Sequence, residues 1–251
     1  MDHPKALPGA QSLQRAIGLL RAVARRNESG ARLSNLARDA GLHPATARRL
    51  LAMLSAEGLT SFDPVSKLYK LGITLYHLGS AAKQFAIREQ FHGILVKIAE
   101  ETEDTVFLII RSGHDCMCVD RIEGRYPIRA LTMDVGVSRP LGIGAGSLAL
   151  IAFLPGKDFE AVVSANAHRY KSYADLTADL IRETARKSRK RGYVLSEGLF
   201  WPGVTSISMP VADPGQNIIA AITVTAISSR MTRERQKKVA ETIRRHAGLI
   251  Y

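Results

Sequence analysis

LSNLARDAGLHPATARRLLAMLSAEGL, residues 33–59, is the stretch that decides the fold of the N-terminal part of the chain. It reads as two short helices joined by a tight turn. The first, 34–40, opens on Ser34, whose side chain is expected to cap the free N–H groups of its first turn. Gly41 can take the positive φ that stops it. The second begins after His43, with Pro44 at the first helical position, where a missing N–H costs nothing. Leu33, Leu36, Ala37, Ala47, Leu50, Leu51 and Leu54 recur at helical spacing and form one apolar face across both helices. At about 100° per residue, Ala45, Arg49 and Ala52 then point outward, flanked by Thr46 and Arg48, with no carboxylate before Glu57. Small side chains let a helix sit deep in a groove, and arginine reaches phosphate or the acceptor edge of guanine. This is the layout of a helix-turn-helix with residues 44–56 as the recognition helix.

An ordinary helical hairpin with a solvated basic face would share that pattern, and the residues that follow separate the two. LTSFDPVSKLYKLG, 59–72, reads as a strand over 59–62, a turn over 63–66 and a returning strand over 67–71. A hairpin carrying Lys67 and Lys70 directly after a recognition helix is a wing whose lysines can touch the phosphate backbone. Upstream, residues 12–26 form a helix with Leu13, Ile17, Leu20 and Val23 as its apolar stripe, and 1–10 reads as a tail. The winged unit therefore spans residues 10–72.

The 251 residues suffice for one large or two modest domains. Apolar content of 46% and charged content of 23% are those of an ordinary globular protein. A formal net charge of +12 favours a polyanionic partner, nucleic acid first and an anionic membrane surface second. Residues 1–75 hold 11 Lys+Arg against 5 Asp+Glu and the rest 24 against 18, so each part carries +6 and the charge is densest around the helix-turn-helix. Two cysteines, Cys116 and Cys118, make no disulfide framework and suit a reducing cytosol. No signal peptide is read at the start, and no apolar run approaches the roughly 20 residues that span a bilayer. A cytoplasmic protein without membrane partners is expected.

Residues 74–103 read as mostly helical, split near 85–88, so 73–88 is expected to be a linker helix and an oligomer surface. The remainder, 89–251, reads as mixed α and β: strands at 105–111, 116–122, 128–135, 192–196, 205–211 and 218–227; helices at 144–154, 159–166, 175–191 and 232–249, the last capped by Thr232. An antiparallel sheet with helices on its faces makes the class α+β.

Several segments together resemble the IclR family of bacterial transcriptional regulators. They are QSLQRAIGLL (11–20), HPATARRLLAMLSAEGL (43–59), KLYKLG (67–72), PLGIGAGSLALIAFLP (140–155), RGYVLSEG (191–198), PGVTSISMPV (202–211) and AAITVTAISSRMT (220–232). They cover nearly the whole chain in family order. The resemblance implies a winged helix-turn-helix, a linker helix and a GAF-like effector-binding domain. It implies a homodimer or homotetramer on palindromic or near-palindromic double-stranded DNA, with binding altered by a small organic or aromatic acid. It places the effector against Gly144 and Ala145, Ser196, Ser206, Thr223 and Thr225. From the helix-turn-helix and wing themselves, the DNA is expected against Ser34, His43, Pro44, Ala45, Thr46, Arg48, Arg49, Lys67 and Lys70.

The residues support part of this. Thr223 and Thr225 are two apart on a strand, so both hydroxyls share a face; alone, such a pair is more often plain sheet surface. Gly144-Ala145-Gly146 opens a helix whose N–H groups suit a carboxylate, with no buried cation required. The family's common acidic residue is here Ser196, with Glu197 beside it, and Ser206 stands where many members have cysteine. Its usual basic residue in the small-residue helix is here replaced by Ser147-Leu148, which implies a less charged pocket. Trp201, the only tryptophan, is read either as a pocket wall or as a loop residue.

An enzyme is the main rival. His114, Cys116 and Cys118 are its best candidates, yet they lack a fourth ligand and the usual metal spacing. Neither G-x-x-x-x-G-K-[ST], H-E-x-x-H nor G-x-S-x-G occurs. No catalytic residue, metal or cofactor is expected. A ligand-free architectural DNA-binding protein would not need so large a C-terminal domain.

Overall fold

Helices α1 (Gln11–Ala24), α2 (Leu33–Asp39) and α3 (Pro44–Ala56) close on a core of Leu19, Val23, Leu36, Ala47, Leu51 and Leu54. The computed structural model describes residues 10–81, 87–173 and 176–248. These divide into two compact units at the junction of residues 86 and 87. The expected tail over 1–9 lies outside the described residues.

In the first unit the turn after α2 is built as the sequence implies. Gly41 takes φ +63°, and the Leu42 N–H donates to the Ala37 carbonyl at 2.9 Å. The start of α2 differs from expectation. The helix begins at Leu33, Arg32 is its N-cap, no side chain caps it, and Ser34 is an exposed residue of the first turn. Leu33 can join the helix because Arg32 already has extended geometry, φ −76° and ψ 152°. The stripe on α1 also differs: Leu19, Ala22 and Val23 are buried, while Leu13 is 64% and Ile17 40% exposed. Apolar residues surround this helix, and the face that meets α2 and α3 is the one carrying the small Ala22.

The wing consists of β1 (Thr60–Asp63) and β2 (Leu68–Leu71), paired antiparallel with Thr60 opposite Leu71. The strands sit one residue later than expected. Asp63 holds the turn: its carboxylate accepts from the Val65 N–H at 2.9 Å and from the Ser66 hydroxyl, which keeps its pKa below the usual value. Lys67, at φ +58°, closes this turn rather than starting the strand. Tyr69 exchanges backbone bonds with Ala31 and packs on Phe62 at 4.6 Å between centroids, locking the wing to the helices. Helix α4 (Thr74–Ala81) leaves the unit with Tyr76 and Leu78 exposed. The expected split near 85–88 falls mostly outside the described residues.

The second unit is one six-stranded antiparallel sheet covered on both faces. Its strands are β3 (Thr105–Ser112), β4 (Asp115–Ile122), β5 (Ser138–Pro140), β6 (Val194–Glu197), β7 (Val204–Ala212) and β8 (Ile218–Ile227), in spatial order β5-β4-β3-β8-β7-β6. Inward residues alternate along each strand. Val106, Leu108, Ile207, Ile222 and Val224 pack on α5 (Ile87–Thr102) and α9 (Arg233–Ala247), and Phe107, Ile109, Val194 and Ala221 on the other face meet α6 (Ala145–Ala152), α7 (Gly156–Tyr170) and α8 (Ala178–Arg191). Helix α6 is buried all round, which fits its lack of any charged side chain. Thr177 and Thr232 cap α8 and α9 through their hydroxyls.

The strand expected over 128–135 does not form. Ile128, Leu131 and Val135 are exposed while Ala130 and Met133 are buried, a spacing of three rather than two. The sheet edge is completed later, by β5, with Arg139 opposite Cys116. Residues 192–193 also stay out of β6, because Gly192 takes the left-handed C-cap of α8. A buried ionic knot fastens β8 to the end of α5. Asp104, 2% exposed at its side chain, accepts from Arg230 at 2.8 Å and from Arg235 at 2.9 Å. Removing one partner of such a pair costs about 3–5 kcal/mol. Among the described residues no helix is long and apolar enough to cross a membrane.

Candidate functional sites

The first candidate is the outer surface of α3 and the wing. Burying Ala47, Leu51 and Leu54 turns Ala45, Arg48, Arg49 and Ala52 to the exterior, as the helical spacing requires. Thr46 is half-buried at their edge. His43 is the N-cap, its Nδ1 accepting from the Ala45 N–H at 3.4 Å, and Pro44 follows it. Among the described residues no carboxylate pairs with Arg48 or Arg49. Both cations are free to meet an external anion, and neither has a neighbouring carboxylate to repel one. Lys67 and Lys70 are exposed on the wing. Ser34 is exposed on α2, one helix away from these groups.

The second candidate is a cavity in the other unit, where the start of α6 meets β7 and β8. It is lined by Gly144, Ala145, Ser206, Thr223, Thr225 and Trp201, with Phe107, Ile109 and Cys116 as its apolar side. Strand register explains the hydroxyls: Ser206 lies opposite Thr225 and Ser208 opposite Thr223, so their side chains share a face. Ser206 Oγ and Thr225 Oγ1 are 2.9 Å apart, and Ser208 Oγ and Thr223 Oγ1 2.8 Å. Thr105, one strand further, has a buried hydroxyl with no partner.

Gly144 caps α6 at φ +93°, a conformation that disfavours any side chain, and a Cβ there would stand 3.5 Å from Trp201. The indole therefore lies against the positive end of α6. The cavity is about 30 Å³ and opens to solvent, and a carboxylate-sized group fits it.

The site differs from expectation in two respects. Ser196 does not line the cavity: it is buried on β6 beside Ser206, one strand away, and its neighbour Glu197 is occupied by Gln236 at 2.8 Å. The site is also not free of cations, because Arg139 lines it from β5, with its guanidinium carbon 4.6 Å from the Trp201 ring centroid. Its position before Pro140 and the glycine-rich turn is the local signal in the sequence, while its pairing opposite Cys116 at the sheet edge is long-range. Burial lowers its pKa.

Cys116 and Cys118 are both buried, and burial raises their pKa values, that of Cys118 to about 12. They are protonated thiols with no nucleophilic character at neutral pH. Among the described residues no cluster of three His, Cys, Asp or Glu side chains could hold a metal ion.

Comparison with known proteins bears on both sites. The family profile described as bacterial transcriptional regulator IclR C-terminal matches residues 79–250, and that of the IclR helix-turn-helix domain matches 12–64. The chain is 24% identical over 214 residues to the HTH-type transcriptional regulator KipR of Bacillus subtilis, covering 84% of this chain and 85% of that protein. Among solved structures, the IclR of Thermotoga maritima superposes with a TM-score of 0.75 at 22% identity, covering 94% of this chain and 96% of the other. An IclR homologue from Microbacterium hydrocarbonoxydans, complexed with 4-hydroxybenzoate, superposes with a TM-score of 0.76 at 17% identity, covering 95% and 99%.

Proposed function

The chain belongs to the IclR family of bacterial transcriptional regulators, and from that premise we propose that it binds an operator sequence-specifically and releases or tightens on it when a small carboxylic or aromatic acid enters the cavity at the start of α6. The domain limits proposed are 10–72 for DNA binding, 73–88 for the linker and 89–251 for the effector domain.

Arg48, Arg49, Ala45 and Thr46 face the major groove in this reading, and Lys67 and Lys70 grip phosphates. His43 and Pro44 set the entry of the recognition helix, and Ser34 contributes through α2. A homodimer or homotetramer on a palindromic operator is supported by the exposed apolar residues Leu13, Ile17, Tyr76 and Leu78 of the first unit.

The observation that carries the effector reading is the convergence, on one cavity, of a helix N-terminus, three hydroxyls from adjacent strands and an indole. That set suits an anionic group with an apolar body. The 4-hydroxybenzoate in a homologue of the same fold makes hydroxylated aromatic acids the first class to try. The cytoplasm, where operator and metabolite coexist, is the proposed location. An electrophoretic mobility assay on duplexes selected from a random pool, with and without aromatic and keto acids, tests the proposal. A shift that responds to one acid class supports it. Selected duplexes that bind no better than random ones would refute it.

A further inference from the structure

In the second unit Arg121, Arg129, Arg169, Arg182, Arg230 and Arg235 each hold a carboxylate. Arg139, which lines the cavity, does not. It donates to the Thr132 carbonyl and lies over the Trp201 face. Among the described residues no carboxylate pairs with it. Asp134, the nearest acidic influence, has its carboxylate bound to Arg121 at 2.7 Å. The thiols of Cys116 and Cys118, which also face it, are held neutral by burial. A half-buried guanidinium has lost part of its hydration, and here it has no counter-ion to replace it.

Position adds to this. Arg139 sits opposite Cys116 on the edge strand, so its backbone is fixed by the sheet. Trp201 occupies one guanidinium face by a cation–π contact, which restricts the rotamer; with Nη2 donating to the Thr132 carbonyl, the remaining N–H edge is left for a planar acceptor. Carboxylate is the group whose two oxygens match that edge.

We infer that Arg139 is the specificity-determining residue of the cavity: it favours ligands that bring a carboxylate over neutral ones of the same shape, and Trp201 holds it in place to do so. The inference rests on reading the cavity as the effector site. Neutral isosteres of the same shape leave the guanidinium unpaired and bind more weakly.

The test is a titration of the full-length protein with two matched pairs, propanoate against propanamide and benzoate against benzamide. Binding is followed by calorimetry and by the emission of Trp201, the only tryptophan. Wild-type protein is expected to prefer each acid over its amide by about tenfold or more. Arg139→Gln should weaken the acids by about 10- to 100-fold and leave the amides unchanged, with Arg139→Lys intermediate because it keeps the charge without the fork. Should Arg139→Gln fail to fold by its thermal melt, Arg139→Lys carries the comparison. Equal binding of acid and amide, or acid affinity untouched in both variants, would overturn the role of Arg139 while leaving the cavity as the site. Failure of all four compounds to bind would remove the cavity reading and this inference with it.

Discussion

Gly146→Ala tests how tightly α6 is fitted against the sheet that forms the cavity floor. A Cβ at position 146 would stand 2.6 Å from Thr223 Oγ1 and 2.7 Å from Ile109 Cγ1. Neither neighbour can retreat easily: Thr223 and Ile109 lie on β8 and β3, central strands held in register on both sides. To make room, Thr223 must turn and break its bond to Ser208. Overpacking of this kind costs about 1–3 kcal/mol and the lost hydrogen bond about 1 kcal/mol. Alanine returns up to about 1 kcal/mol in helix propensity. The net expectation is a loss of about 2 kcal/mol, or a melting temperature lower by about 4–8 °C. Urea unfolding of Gly146→Ala, Thr223→Ala and the double variant forms a cycle. Because removing the Thr223 hydroxyl and methyl relieves the closer contact, the double variant should be more stable than additivity requires by about 1 kcal/mol. A neutral Gly146→Ala, or strict additivity, would refute the close fit of helix and strand.

Three further outcomes are expected. Arg49→Ala should weaken binding to a selected duplex by about 1–3 kcal/mol while leaving binding to random DNA nearly as before, measured by fluorescence anisotropy; unchanged selectivity would take Arg49 out of the groove. Lys70→Ala should weaken selected and random duplexes alike and reduce the salt slope by about one, whereas a sequence-selective loss would mean that the wing reads bases. Glu101 accepts from His246, and with Thr242 and Arg245 this bond holds its pKa at about 2, below the ordinary 4.5. A depressed carboxylate stabilises the fold above its unfolded pKa and loses that contribution as pH falls from about 4.5 toward 2. Urea midpoints measured across that window should fall more steeply for wild type than for Glu101→Gln.

The winged unit was legible in the sequence because its signals are local. Gly41, Pro44 and the spacing of Ala47, Leu51 and Leu54 each act within one turn, and α3 forms where they place it. The Ser34 cap misled because Ser, two residues after an extended Arg32, lies inside a helix that starts one turn position earlier. Leu13 and Ile17 misled for another reason: their apolar character has no partner within the unit, and sequence spacing cannot say which of two apolar faces is inward. Residues 128–135 read as a strand by composition, but backbone pairing to β4 was taken by Ser138–Pro140 instead, a long-range choice that no local pattern carries. The same limit hid Arg139. The pocket residues from the glycine turn and from β7 and β8 were recoverable, since Gly144, Ser206, Thr223 and Thr225 follow from helix start and strand alternation once the family resemblance aligned them. Ser196 shares the face of Ser206 but stands one strand beyond the cavity, a distance that register reveals and spacing does not.

Whether an acid bound in the α6 cavity governs DNA binding is decided by calorimetric titration of wild-type protein and Thr223→Val. Two ligand sets are needed, hydroxylated aromatic acids and small keto or dicarboxylic acids, with Trp201 emission recorded alongside. Valine is nearly isosteric, and Ser208 keeps its bond to the Ile222 carbonyl at 3.1 Å, so folding and DNA affinity should survive. The expected result is saturable binding by one set, a change in Trp201 emission, and loss of both in Thr223→Val. Saturable binding unaltered by the substitution, or no binding by either set while DNA binding persists, would contradict it.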